Sequence, residues 1–185
     1  MRIIAGDYKG RRLYTPRDRS IRPTSDKVKE ALFSILGEDI IGAYVCDLFS
    51  GTGNLGLEAL SRGADKCYFA DNSGESIKLI TDNVEMCRAE EYSVIVKGDF
   101  KKCISQIDLA GDKIDIFFLD PPYDKGLWTK AIDAIKESDI LAEGGVIVCE
   151  HYKEIELPEE ISGFTRVKDR AYGKVVLSFY SILCN

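Results

Sequence analysis

Histidine is almost missing from this chain, and its scarcity removes whole classes of chemistry. A single histidine, His151, stands among 185 residues. No G-x-S-x-G segment occurs and no paired metal ligands recur, so triad hydrolysis and zinc chemistry lack their residues. Long hydrophobic runs are also wanting: none approaches the roughly 20 residues of a membrane-spanning helix. The opening Met1-Arg2-Ile3-Ile4-Ala5-Gly6-Asp7 has neither the apolar core nor the small-residue cleavage site of a secretory signal. Six cysteines are present, at 46, 67, 87, 103, 149 and 184, but none forms a C-x-x-C pair. Cys46, Cys67 and Cys149 sit inside apolar runs, where a reduced thiol packs as a small hydrophobe. These absences predict a cytoplasmic, reduced protein with no disulfide framework, no metal and no membrane partner. Repeats, low-complexity tracts and Gly/Ser linkers are lacking too. What remains is a chain of ordinary domain length with 45% hydrophobic residues, enough for a substantial core and expected to be monomeric.

Charge is unevenly placed. The net charge is -6, which by itself speaks against a polyanionic partner. Yet residues 1–30 hold nine Lys/Arg against four Asp/Glu, so the acidic excess belongs wholly to the rest of the chain. Such asymmetry points to a basic arm that meets a polyanion.

Residues 1–24 read as this arm, with short strand candidates at Arg2–Ala5 and Arg12–Thr15 around Gly6 and Gly10. Arg22-Pro23-Thr24-Ser25-Asp26 supplies a break and N-cap candidates. It leads into a helix whose apolar stripe is Val28, Ala31, Leu32, Ile35 and Leu36, with Gly37 as its stop. Residues 25–185 form the main domain. Strand-like runs at Tyr44–Phe49, Lys66–Ala70, Ser93–Val96, Ile114–Leu119 and Gly145–Glu150 alternate with helices at Leu55–Arg62, Ser76–Cys87, Lys101–Gln106 and Leu127–Lys136. Alternation of this kind implies βαβ crossovers and a mostly parallel sheet. Phe164–Arg170 and Val175–Leu183 have no helix between them and predict a terminal antiparallel hairpin. The expected fold is an open, doubly wound α/β sheet of seven strands.

Two segments carry chemistry. Asp120-Pro121-Pro122-Tyr123 follows the fourth strand. Two prolines stiffen that corner and remove two backbone donors, leaving a carboxylate, carbonyls and an aromatic ring suited to a planar, amino-bearing ring. Asp47-Leu48-Phe49-Ser50-Gly51-Thr52-Gly53-Asn54-Leu55-Gly56 closes the first strand and opens a helix, the setting in which G-x-G-x-x-G cradles a nucleotide-like ligand. Asp71, with Asn72 beside it, ends the second strand twenty residues after Gly51, where a carboxylate takes ribose hydroxyls. Asp99 and Phe100 follow the third strand and are placed for an adenine amino group and ring. Asp47 under the loop would repel a pyrophosphate and favour a cationic amino group or sulfonium. That pattern suits S-adenosylmethionine better than a dinucleotide. His151 is expected at the surface, and Leu127 and Trp128 as packing, with Trp128 a possible wall of the base pocket.

On these residues the chain resembles a class I S-adenosylmethionine-dependent methyltransferase with a Rossmann-like fold. More closely it resembles the bacterial 16S ribosomal RNA guanine-N2-methyltransferase family. The shared segments are Arg2-Ile3-Ile4-Ala5-Gly6 with Lys9-Gly10-Arg11, Arg22 through Phe33, Asp47 through Ala64, and Leu119 through Tyr123. The resemblance implies rRNA methylation on free 16S RNA or partly assembled small subunits. Asp120 and Pro121 would accept hydrogen bonds from the guanine amino group, Pro122 would stiffen the corner and Tyr123 would stack on the base. Arg2, Lys9, Arg11, Arg12 and Arg17 would hold RNA phosphates. Arg22, Thr24 and Asp26 would cover the cofactor or the entering base. Two other readings share these residues: a DNA adenine-N6 methyltransferase, which commonly has an added target-recognition segment, and a non-catalytic cofactor- or RNA-binding protein.

Overall fold

Side-chain caps set the start of several helices. In the computed structural model, which describes residues 1–16, 25–122 and 126–182, α1 (Asp26–Leu36) begins where the Ser25 hydroxyl accepts the Val28 N–H. The body then alternates: β1 (Tyr44–Asp47), α2 (Asn54–Ser61), β2 (Lys66–Asp71), α3 (Gly74–Cys87), β3 (Ser93–Lys97), α4 (Phe100–Ala110), β4 (Ile114–Leu119), α5 (Leu127–Glu137) and β5 (Leu141–Tyr152). Ser73 and Asp99 cap α3 and α4 by accepting the Ser76 and Lys102 N–H groups. The tail is all strand: β6 (Glu160–Ile161), β7 (Phe164–Tyr172) and β8 (Val175–Ser181).

The sheet order is β3-β2-β1-β4-β5-β8-β7-β6. Strands β1 to β5 run parallel, and β8, β7 and β6 add antiparallel neighbours. All seven expected strands are present. The eighth, β6, is a two-residue edge strand too short to leave a period-2 pattern. The direction of winding reverses between β1 and β4, so loops leaving those two strands part and open a crevice at their carboxyl ends.

Neighbouring strand residues point to opposite faces, and here both faces are covered. Val45, Ile116 and Phe118 join α1, α2 and α3 in one core. Cys46, Phe117 and Leu119 join α4 and α5 in the other. Double-sided burial is why these strands read as unbroken apolar runs. The described cysteines 46, 67, 87, 103 and 149 are free and buried, and Trp128 packs in the second core while its indole N–H donates to the Glu150 carbonyl at 3.2 Å.

Two expectations need correction. His151 is not a surface residue: it is 6% exposed, because β5 continues past Glu150 and pairs His151 with Val176. Its ring nitrogens lie 2.9 Å from the Tyr152 carbonyl and 2.8 Å from the Ser178 hydroxyl. In the arm, the two strand candidates reduce to one bridge, Arg2 with Arg12. Arg17, Arg19, Arg22 and Thr24 lie outside the described residues. Residues 1–14 form a narrow hairpin whose Ile3 and Leu13 are buried in the same core as α1–α3.

Candidate active site

The crevice contains the segments that the sequence singled out. Past Asp47 the loop is locked by Ser50. Its hydroxyl donates to the Asp47 carbonyl at 2.6 Å and accepts the Ala70 N–H at 3.0 Å, while its own N–H reaches the Ala70 carbonyl at 2.9 Å. Gly53, at φ +78°, turns the chain into α2. Gly56 is required by packing: a Cβ there would lie 2.3 Å from the Phe69 ring and 2.6 Å from the Cys67 sulfur. Gly53 and Gly56 therefore shape the loop from beneath.

Asp47 is 2% exposed and accepts the Gly56 N–H at 3.2 Å. Burial pushes its carboxyl up to about 7; the Gly56 N–H opposes the shift and the Asp71 charge adds to it. Asp71 organises the next strand end. One carboxylate oxygen accepts the Gly51 N–H at 2.9 Å and the other the Ser73 N–H at 2.8 Å. Each oxygen has a second lone pair available to a ligand. Asp99 accepts the Lys102 N–H at 3.0 Å, and the Phe49 and Phe100 rings lie 6.2 Å apart at 48°.

These residues line one cavity of about 560 Å³. Asp47, Phe49, Gly51, Thr52, Asn54, Asp71, Asn72, Asp99 and Phe100 contribute from the β1, β2 and β3 ends, and Asp120, Pro121 and Pro122 from the β4 end. Leu127 closes part of the wall, whereas Trp128 does not reach it. Tyr123, Arg17, Arg22 and Thr24 lie outside the described residues. The cavity joins an acidic, partly aromatic pocket to a proline corner that offers carbonyls without competing N–H groups.

The basic arm is placed less uniformly than expected. Lys9 and Arg12 are exposed. Arg2 is exposed but pairs with Asp26 at 2.9 Å, so Asp26 holds an arm cation. Arg11 is turned onto the protein: its guanidinium donates to the Met86 carbonyl at 2.6 Å and lies 5.3 Å from the Tyr8 ring centre.

Sequence reasoning missed the buried polar groups that dock this arm. Lys29 and Glu58, both fully buried, pair at 3.0 Å. Burial pulls the Lys29 ammonium below the usual lysine value, and Glu58 opposes that pull. Lys29 donates to the Arg2 carbonyl at 2.6 Å and to Asn54 at 2.7 Å. Glu58 accepts the Ile4 and Ala5 N–H groups at 2.8 and 3.0 Å and pairs with Arg62 at 2.8 Å. Asn83, also fully buried, accepts the Tyr14 N–H at 2.7 Å. Its amide donates to the Tyr14 and Thr52 carbonyls at 3.1 and 2.9 Å. Met1 lines the cavity and was not singled out either. A signal existed for Lys29 and Glu58, each a charge that shares a helix face with apolar residues, Leu32 and Phe33 for Lys29 and Leu55 for Glu58; Asn83 and Met1 left none.

Residues 1–181 match the model of a family described as Conserved hypothetical protein 95. The chain is 34% identical over 180 residues to YlbH of Bacillus subtilis, provisionally named an rRNA methyltransferase, with 97% of this chain and 98% of that protein covered. It is 31% identical over 180 residues to ribosomal RNA small subunit methyltransferase D of Escherichia coli, covering 97% and 89%. Among solved structures, the Escherichia coli protein yhhF, provisionally named a methyltransferase, superposes with a TM-score of 0.83 at 28% identity, covering 97% of this chain and 96% of that one.

Proposed function

Since this chain belongs to the family described as Conserved hypothetical protein 95, we propose that it transfers a methyl group from S-adenosylmethionine to the exocyclic N2 of a guanine in small-subunit ribosomal RNA. The fold is that of class I methyltransferases, S-adenosylmethionine is the cofactor this reading requires, and relatives matched across nearly the full chain are named small-subunit rRNA methyltransferases.

The residues of the cavity fit the cofactor. Three carboxylates and two aromatic rings at the ends of adjacent parallel strands match a ligand with a cationic centre, a ribose diol and a flat amino-bearing ring. When bound, S-adenosylmethionine supplies an electrophilic methyl group on a positively charged sulfur. Asp47 would face that positive end, Asp71 the ribose hydroxyls, and Asp99 with Phe100 the adenine. Asn72 and the backbone of Gly51, Thr52 and Asn54 would complete the pocket.

One observation carries the substrate side: Asp120-Pro121-Pro122 lines the same cavity as the glycine loop. A guanine amino group is a poor nucleophile because its lone pair is delocalised into the ring. Hydrogen bonds from that group to the Asp120 carboxylate and the Pro121 carbonyl would draw it towards a pyramidal, reactive nitrogen. The stiff corner would fix the position of that nitrogen, and positioning of this kind supplies a large part of the rate in such transfers. Tyr123 would stack on a base flipped from its surroundings. Lys9, Arg12 and Arg2 would hold backbone phosphates, with residues 1–24 acting as the RNA-contacting part of the molecule.

The test offers labelled cofactor with free 16S rRNA, partly assembled small subunits and DNA, and maps the product. Label on guanine N2 in rRNA is the expected result. Label on adenine N6 in DNA would install the DNA reading instead, and cofactor or RNA binding without any transfer would make the protein a non-catalytic binder.

A further inference from the structure

The hairpin at residues 1–14 does more than carry positive charge. Its first side chain, Met1, is part of the wall of the cofactor cavity, and the Thr52 hydroxyl lies 3.5 Å from the Met1 sulfur. Met1 is tied in turn to the second leg of the hairpin, because its carbonyl accepts the Leu13 N–H at 3.2 Å. The next residue, Tyr14, is clamped at both backbone groups by Asn83, and the same Asn83 amide holds the Thr52 carbonyl at 2.9 Å. One buried side chain thus joins the arm to the glycine loop. At the other end, Gly6 sits so close to α2 that a Cβ would fall 1.6 Å from the Ser61 carbonyl oxygen, which leaves the docked position little latitude.

A two-stranded ribbon of this size is marginal alone, so its shape depends on docking through Ile3, Leu13 and the buried polar groups. Met1 takes its place in the cavity wall only when the arm is docked. We propose that the docked arm is itself a wall of the cofactor site, with Asn83 as the positioning residue, so that RNA held by the arm and cofactor held by the loop strengthen each other's binding. The RNA half rests on the reading of the arm given above. The physical basis is linkage. A ligand that needs the docked form binds with its intrinsic affinity scaled by the docked fraction. Any partner that raises that fraction raises the affinity, and the effect is reciprocal.

The test measures the dissociation constant of S-adenosylhomocysteine by calorimetry, without RNA and with saturating unmethylated 16S rRNA transcript. Full-length wild type, Ile3→Ala and Asn83→Ala are compared. Ile3→Ala removes apolar docking surface without altering a residue that lines the cavity. It should weaken cofactor-product binding about tenfold without RNA, and added RNA should return it to within about twofold of wild type. Asn83→Ala should weaken binding too, but RNA should not restore it, because the Thr52 carbonyl has lost its donor even when the arm is docked. An Ile3→Ala protein with unchanged affinity, or with a loss that RNA does not repair, overturns the linkage. Full repair of Asn83→Ala by RNA overturns the role of Asn83. Should Ile3→Ala not unfold cooperatively, Leu13→Ala carries the same two expectations. A wild type that binds no RNA overturns the reading of the arm and this linkage with it, whereas RNA binding with an indifferent Ile3→Ala overturns the linkage alone.

Discussion

At the scale of single residues, the site depends on where carboxylates are buried and where they are not. Asp120 lines the cavity beside Pro121 and Pro122, the side we propose for the substrate. Asp120→Ala should therefore lower kcat by about a hundredfold or more, as removal of one preorganised polar group does elsewhere, while the cofactor-product affinity measured by calorimetry stays within a few fold. A large loss of that affinity would put Asp120 on the cofactor side instead. Asp71→Ala should do the reverse, weakening cofactor binding by roughly tenfold or more, the scale of a hydrogen bond to a charged group. Asp47 adds a pH dependence. Its carboxyl is raised to about 7 by burial, so in the folded protein it becomes anionic only as pH rises through that value. A cationic ligand end favours the anion, and binding should tighten from pH 6 to 7 by at most about tenfold per unit, then level off. The stability effect has the opposite sign. The neutral buried acid contributes stability that is complete below the ordinary carboxylate range and is lost as pH rises towards 7. Titrations of wild type and Asp47→Asn read both; a variant that keeps the same pH dependence of binding assigns it to another group.

At the scale of elements, α1 and α2 are joined by an ion pair that also docks the arm. Glu58 faces Lys29 and Arg62 and accepts two backbone N–H groups of the hairpin. Glu58→Ala would leave a fully buried ammonium without its partner, for which about 3–5 kcal/mol of lost stability is typical. Urea unfolding should show it as a lower midpoint. A loss below about 1 kcal/mol would mean that water or a side-chain shift satisfies Lys29, as it does at exposed pairs. The glycine loop illustrates the same scale differently. Gly56 lies against Cys67 and Phe69, so the helix approaches β2 closely enough for its first turn to hold Asp47.

For the whole molecule, the separation of charge matters more than its sum. A net charge of -6 coexists with an arm whose Lys9 and Arg12 remain exposed. Counterion release makes phosphate binding salt-dependent, and removing one phosphate-bound cation should lower the slope of log affinity against log salt by about 1. Lys9→Glu and Arg12→Glu should weaken RNA binding and flatten that slope, whereas Arg11→Ala, turned onto Met86, should act mainly on stability. Filter binding across a salt series separates the two; an unchanged slope in the reversed variants relegates the arm to structure.

Much of this architecture is written in local pattern. Apolar runs, helical stripes and Ser or Asp caps act over a few residues, so the order of strands and helices follows from neighbours in the chain. Stiff dipeptides and glycine spacing are equally local, which is why the glycine loop and Asp120-Pro121-Pro122 stand out before any coordinates. Burial is another matter. His151 reads as the end of a strand, and only its pairing with Val176 shows it enclosed. Lys29, Glu58 and Asn83 are polar, yet each is buried because partners 25 to 69 residues away satisfy it. The sequence by itself determined the chemistry available to this protein, because side-chain type and strand-end spacing are linear properties. That the arm reaches the cavity wall is a property of the tertiary structure, because hydrogen bonds between distant segments exist only after the chain has closed on itself.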